Sequence, residues 1–180
     1  MAHWALSISV LVRSPDVAQL SSLSPKLIWQ FFEQICSIPH PSKHEAKLSA
    51  WIVQWAQGEG LAVKQDAVGN IIIKKPATLG MENRKAVVLQ AHIDMVPQAN
   101  ADTQHDFTKD PIDAYIDGEW VTARGTTLGA DNGMGMAGCL AVLADKTIKH
   151  GPLEVLLTTD EETGMTGAFG LEAGWLEGEI

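Results

Sequence analysis

Three short stretches of this chain carry side chains able to bind metals or move protons. They are His92-Ile93-Asp94, Gly129-Ala130-Asp131-Asn132-Gly133 and Asp160-Glu161-Glu162. An imidazole with carboxylates nearby is a donor set for zinc and similar divalent ions, and it leaves positions open for water. Each stretch alone also has an ordinary reading. A His-x-Asp can be a polar strand end, Asp131 can be a turn-forming residue ahead of a helix, and acids at a helix start complement its dipole. What distinguishes them is joint placement, because two of the three follow buried-strand patterns directly, and ligands of open α/β sheets collect beyond the carboxyl ends of strands.

Those strand patterns are part of a regular alternation. Ser24 reads as a helix N-cap and Pro25 as its first residue, followed by Leu27, Ile28, Phe31, Phe32 and Ile35 at helical spacing. Pro39 and Pro41 end that helix, and Ser42-Lys43-His44-Glu45 then reads as a capping box opening a second one, which Gly58 and Gly60 close. The period changes at Leu61-Ala62-Val63 and Ile71-Ile72-Ile73, two strands joined through Val68-Gly69-Asn70. Ala86 to Leu89 and Leu153 to Thr158 are continuous apolar runs, as strands buried on both faces should be. Between them come a hairpin signal around Asp117-Gly118 and a helix over roughly Met134 to Ala144. The alternation predicts an α/β fold, a three-layer α/β/α core with a mostly parallel central sheet and antiparallel strands at one edge.

Composition narrows the function. The 180 residues are 46% hydrophobic and 19% charged, which is globular, with one real core expected. A net charge of −9 repels phosphate backbones, so nucleic acid is not an expected partner. No apolar run approaches the ~18 residues of a membrane span, so no membrane is expected either. Cys36 and Cys139 are the only cysteines, too few for a disulfide scaffold or a zinc knuckle. Trp4 to Val12 is apolar, but no Lys or Arg precedes it and no A-x-A site follows, so residues 1–22 are expected to be a disordered extension of a cytoplasmic protein.

The remaining candidates read as ordinary. His40, His44 and His150 flank turns or helix starts, His105-Asp106 lies in a loop that could reach a substrate, and Cys139 belongs to an apolar helix. Neither a dinucleotide glycine pattern nor a Gly-Lys-Ser/Thr phosphate loop is present.

Taken together, the sequence resembles the M20 family of zinc peptidases from about Leu23 onward. The carrying words are Ile35-Cys36-Ser37-Ile38-Pro39-His40-Pro41-Ser42, Val88-Leu89-Gln90-Ala91-His92-Ile93-Asp94-Met95-Val96-Pro97, His105-Asp106-Phe107-Thr108-Lys109-Asp110-Pro111, Ala123 to Gly133, and Gly151 to Leu157. The resemblance implies that residues 23–180 are the N-terminal part of the catalytic domain. It implies two Zn2+, with Co2+ or Mn2+ as substitutes. His92 would bind one ion, Asp131 would bridge both, Glu162 would bind the other, Asp94 would hold the His92 ring and Glu161 would be the general base. The expected activity is hydrolysis of unblocked dipeptides, Xaa-His included, by a homodimeric full-length protein. A deacylase, a tripeptidase or a truncated non-catalytic product are the alternatives. The family's further acidic ligand, late histidine and lid or dimerisation domain are not found before Ile180. The chain is therefore expected to be a front-half fragment, inactive alone.

Overall fold

The structure, a computed structural model, describes residues 20–178. The first elements are a 3-10 turn, Leu20–Ser22, then helices α1 (Lys26–Cys36) and α2 (Ala46–Gly58). Strands β1 (Ala62–Gln65), β2 (Ile71–Lys75) and β3 (Val87–His92) follow, then the hairpin β4 (Ala114–Asp117) and β5 (Trp120–Ala123). Helix α3 (Ala130–Ala144), strand β6 (Leu153–Thr158) and the short helices α4 (Glu161–Gly164) and α5 (Thr166–Gly170) complete it.

Four strands form the central sheet in the order β1-β2-β6-β3, and β4 and β5 pair as a separate ribbon. β3 and β6 run parallel, joined by a crossover that includes α3, while β1 and β2 are the antiparallel edge. The α/β class is as expected from the alternation of periods. The parallel share is smaller, because β2 pairs β6 antiparallel, so among the described residues one of the three pairings in the central sheet is parallel.

Alternation along the strands divides the core in two. Ile71, Ile73, Ala91, Val155 and Leu157 face α1, α2 and α3 in the main cluster, with Phe32, Ile35, Leu48, Ile52, Met136 and Leu140. Ile72, Val88 and Leu156 face the other way and are covered by Leu171, Trp175 and Leu176. The second outer layer is therefore an irregular run, where the three-layer expectation had a helix. After its first turn helix α3 is built of small and apolar residues, as it packs against both α1 and β3. At Gly133 a Cβ would come within 3.0 Å of the Phe32 ring, so a larger residue would push the helices apart.

Three local expectations are corrected. Residues 1–19 of the expected extension lie outside the described residues, but Leu20–Ser22 is ordered and Leu20 is buried in the core. Helix α1 starts one residue late, with Pro25 as N-cap and no side-chain cap, and the Ser24 carbonyl accepts from Trp29 Nε1 at 3.3 Å. The capping box does not form: α2 has Glu45 as its N-cap, with no side-chain cap hydrogen bond. Ser42 and Glu45 have other partners, described below.

On the second face, Glu154 lies in β6 almost fully buried, with Lys74 Nζ at 2.7 Å. Burial alone would raise the Glu154 carboxyl. The Lys74 ammonium and the Glu177 and Gly178 amides, at 2.8 and 2.7 Å, outweigh it and hold the group below its ordinary value. A depressed carboxyl contributes stability above its unfolded value near 4.5 and loses it as pH falls. Glu154→Gln should therefore cost stability at pH 7, about 1.5–3 kcal/mol for hydrogen bonds to a charged group, and progressively less as pH falls below 4.5. Thermal unfolding of both proteins across that range checks this.

Candidate metal centre

β3 delivers His92 to the carboxyl edge of the sheet, and the chain turns at once so that Asp94 lies beneath the ring. Asp94 is completely buried. His92 Nδ1 is 3.0 Å from the Asp94 carbonyl and 3.4 Å from Asp94 Oδ1. Both neighbours are acceptors, so Nδ1 carries a proton and donates, and once Nε2 loses its own proton the lone pair lies there. That nitrogen faces Asp131 Oδ1 at 3.1 Å and Glu161 Oε2 at 3.8 Å.

Asp131 arrives from a different element. Gly129 turns the chain in the left-handed region at φ 73°, and a Cβ there would stand 2.9 Å from Met95 Sδ, so both conformation and space call for glycine. Asp131 and Asn132 have non-helical backbone angles, so regular helix begins only after them. The Asp131 side chain is 81% exposed and open to a ligand.

The third arm begins where β6 ends. Asp160 takes a left-handed conformation, φ 50°, which aspartate tolerates better than most residues. Its carboxylate accepts from the Thr163 hydroxyl and, at 2.6 Å, from the Thr166 hydroxyl. Four consecutive amides of this turn then donate to side chains. Thr159 N donates to Asn70 Oδ1 at 3.2 Å and Asp160 N to Glu45 Oε1 at 3.1 Å. Glu161 N and Glu162 N donate to the two oxygens of Asp94 at 2.9 and 3.1 Å. Ser42 Oγ also donates to Asp94, at 2.7 Å.

The outcome is a cluster in which donor atoms of His92, Asp131 and Glu162 lie within 4.8 Å of one another. One imidazole nitrogen and two carboxylates from three elements are a donor set suited to zinc, and the remaining positions stay free for water or substrate. The cluster takes in Glu162 and leaves Glu161 beside it, one-third exposed. All five residues picked out in the sequence therefore meet at one place. Ser42, Glu45 and Asn70 were not picked out. Ser42 and Glu45 looked like a capping box and Asn70 like a turn residue, and their burial follows from long-range contacts.

The electrostatics follow the geometry. Burial disfavours the His92 imidazolium, but Asp94 on one nitrogen and Asp131 on the other more than compensate and lift it to about 9. Burial would also raise Asp94, yet His92, the Ser42 hydroxyl and the Glu161 and Glu162 amides hold it well below the usual carboxylate range. Glu162 is raised, first by burial and then by Asp131, Glu161 and Asp94, against the pull of His92. His105 does not join this group; its ring packs edge-on to Phe107 at 4.4 Å between centroids. Cys36 and Cys139 are buried, and burial pushes their thiols up to about 12 and about 11, which fits core positions.

A metal at Nε2 must displace a proton from His92. Below pH 9 its apparent affinity should rise about tenfold per pH unit and level off above that, as expected for one proton released. The metal-free fold behaves oppositely: a raised histidine contributes stability below its ordinary 6.5 and loses it as pH rises through about 9. Co2+ titrations between pH 6 and 9.5 check the first expectation, and the slope should vanish in His92→Ala.

Residues 88–179 match the model of peptidase family M20/M25/M40. The chain is 67% identical over 164 residues to the cytosol non-specific dipeptidase of Escherichia coli K12, covering 91% of this chain and 34% of that protein. It superposes on the crystal structure of aminoacylhistidine dipeptidase from Vibrio alginolyticus with a TM-score of 0.89 and 72% identity, over 91% of this chain and 33% of that one. A tripeptidase from Staphylococcus aureus shares the fold at a TM-score of 0.70 and 22% identity, over 85% of this chain and 41% of that one. The chain thus spans about a third of the length of the dipeptidases it matches. With the family model covering residues 88–179, more than half of the chain, this chain belongs to peptidase family M20/M25/M40.

Proposed function

We propose that this chain is the metal-binding front portion of a dinuclear zinc dipeptidase acting on unblocked dipeptides, Xaa-His among them. The observation that carries the reading is the convergence of His92, Asp131 and Glu162 with Glu161 beside them. Its support for a dipeptidase comes from 67% and 72% identity to proteins described as dipeptidases. The activity belongs to a protein of the relatives' length that contains these residues. A cytosolic, homodimeric protein is part of the same proposal. Among the described residues no helix is long and apolar enough to cross a membrane.

In this reading His92 would hold one ion and Glu162 the other, with the exposed Asp131 carboxylate available to both. Bound there, the ions would polarise the scissile carbonyl and bring an attacking water toward a pKa of about 7. Zinc suits a mixed imidazole and carboxylate set, and Co2+ or Mn2+ could substitute. Glu161 stays outside the donor cluster, takes the water proton and delivers it to the leaving amine. Asp94 keeps the proton on Nδ1 and so keeps Nε2 available. Ser42 and the two amides spend the remaining acceptor capacity of Asp94, which prevents that carboxylate from competing as a ligand.

Two substitutions separate these roles. Glu161→Gln should lower kcat by about 10²–10⁴-fold, the usual contribution of a general base, with metal content unchanged. Asp131→Ala should lose metal together with activity. Metal analysis and turnover on an Xaa-His dipeptide, in the protein of full length, check both. Loss of metal in Glu161→Gln and its retention in Glu162→Gln would reverse the two glutamate roles. A panel of dipeptides, tripeptides and N-acyl amino acids tests the substrate class, and chelation should remove activity on all of them.

A further inference from the structure

Glu45 is nearly buried, at 7% exposure, and it belongs to none of the catalytic words of the sequence. It comes within 4.8 Å of the carboxylates of Asp94 and Asp160, a like-charged trio that would be costly without compensation. The compensation is a set of donors rather than a cation. Asp94 receives Ser42 Oγ and the Glu161 and Glu162 amides, and Asp160 receives two threonine hydroxyls. Glu45 Oε1 receives the amides of Lys43 at 3.0 Å and Asp160 at 3.1 Å.

These two amides belong to distant parts of the chain. Lys43 has a left-handed backbone at φ 70°, and Asp160 one at φ 50°. One carboxylate oxygen thus fastens the turn before α2 to the turn after β6. The second turn carries Glu161 and Glu162, and its amides on either side of Asp160 are held by Asn70 and Asp94. Without the Glu45 acceptor, the one left-handed residue of that turn would lose the hydrogen bond that fixes its amide. The peptide plane could then rotate, carrying Glu162 away from His92 and Asp131.

We propose that Glu45 is a positioning residue of the metal centre, acting through the Asp160 amide to set the placement of Glu161 and Glu162. The proposal rests on the reading that His92, Asp131 and Glu162 hold metal. It requires an acceptor at position 45 but no charge there.

The test compares Glu45→Ala and Glu45→Met, which remove the acceptor, with Glu45→Gln, which keeps it. Readouts are Co2+ affinity and the visible absorption of bound Co2+, with hydrogen exchange at the Asp160 amide. Outer partners of metal ligands are typically worth about 10–100-fold in affinity. Glu45→Ala and Glu45→Met are expected to weaken Co2+ binding about that much, alter the spectrum and speed exchange at Asp160. Glu45→Gln should stay within about threefold of the parent. A folded Ala or Met variant that binds Co2+ like the parent overturns the proposal. So does Glu45→Gln losing as much as Glu45→Ala, which would assign the effect to charge. Loss of the folded state in both acceptor-free variants, with Gln folded, would give Glu45 to the fold and also overturn it. A parent that binds no Co2+ overturns the metal assignment itself, an outcome distinct from all of these.

Discussion

A carboxylate with no exposure to water must be paid for by donors, and in this protein the donors of Asp94 are the parts of the site itself. Its carbonyl and carboxylate hold one face of the His92 ring, and its two oxygens take the amides of Glu161 and Glu162. The Ser42 hydroxyl completes the set from the loop ahead of α2. Three elements are thereby tied to one side chain. An unpaired buried carboxylate would cost several kcal/mol, so the geometry of all three is enforced together. The ring orientation, the Nδ1 proton and the register of the two glutamates are consequences of that one requirement.

The same arrangement leaves charge unbalanced on the open side. A single imidazole faces Asp131, Glu161 and Glu162, and burial first, with the neighbouring carboxylates, raises Glu162. Asp94 on the buried side and Asp131 on the open side together overcome burial and hold a proton on His92 well above its ordinary range. A divalent ion placed among the same groups supplies more positive charge than a proton can, with a directional bond to Nε2. Strain from like charges on one side and a rigid backbone clamp on the other are what a preorganised metal site needs.

Much of this was legible from residue types and periods. The apolar runs Ala86 to Leu89 and Leu153 to Thr158 marked two strands, and the acids at their ends marked the edge where His92, Asp131 and Glu162 meet. Local signals failed where a residue's partner is distant in sequence. Ser42 and Glu45 have the spacing of a capping box, but the helix they precede starts later, and Asp94 and Asp160 claim their side chains across the fold. Asn70 has the composition of a turn, yet it is fully buried and joins Asp66, Thr159 and Gly167. The balance of parallel and antiparallel pairing was also hidden, because Ile71-Ile72-Ile73 is equally apolar in either direction. That β2 lies next to β6 is decided by tertiary packing.

The most direct measurement of the central claim is anomalous X-ray scattering at the zinc edge from crystals of the zinc-loaded protein. The account expects anomalous peaks about 2.0–2.2 Å from His92 Nε2 and from carboxylate oxygens of Asp131 and Glu162. Glu161 should stand off the metal, and the Asp94 carboxylate should remain on the Glu161 and Glu162 amides. Zinc bound through Glu161 with Glu162 turned away, or ligated by Asp94 with its amide contacts broken, would contradict it.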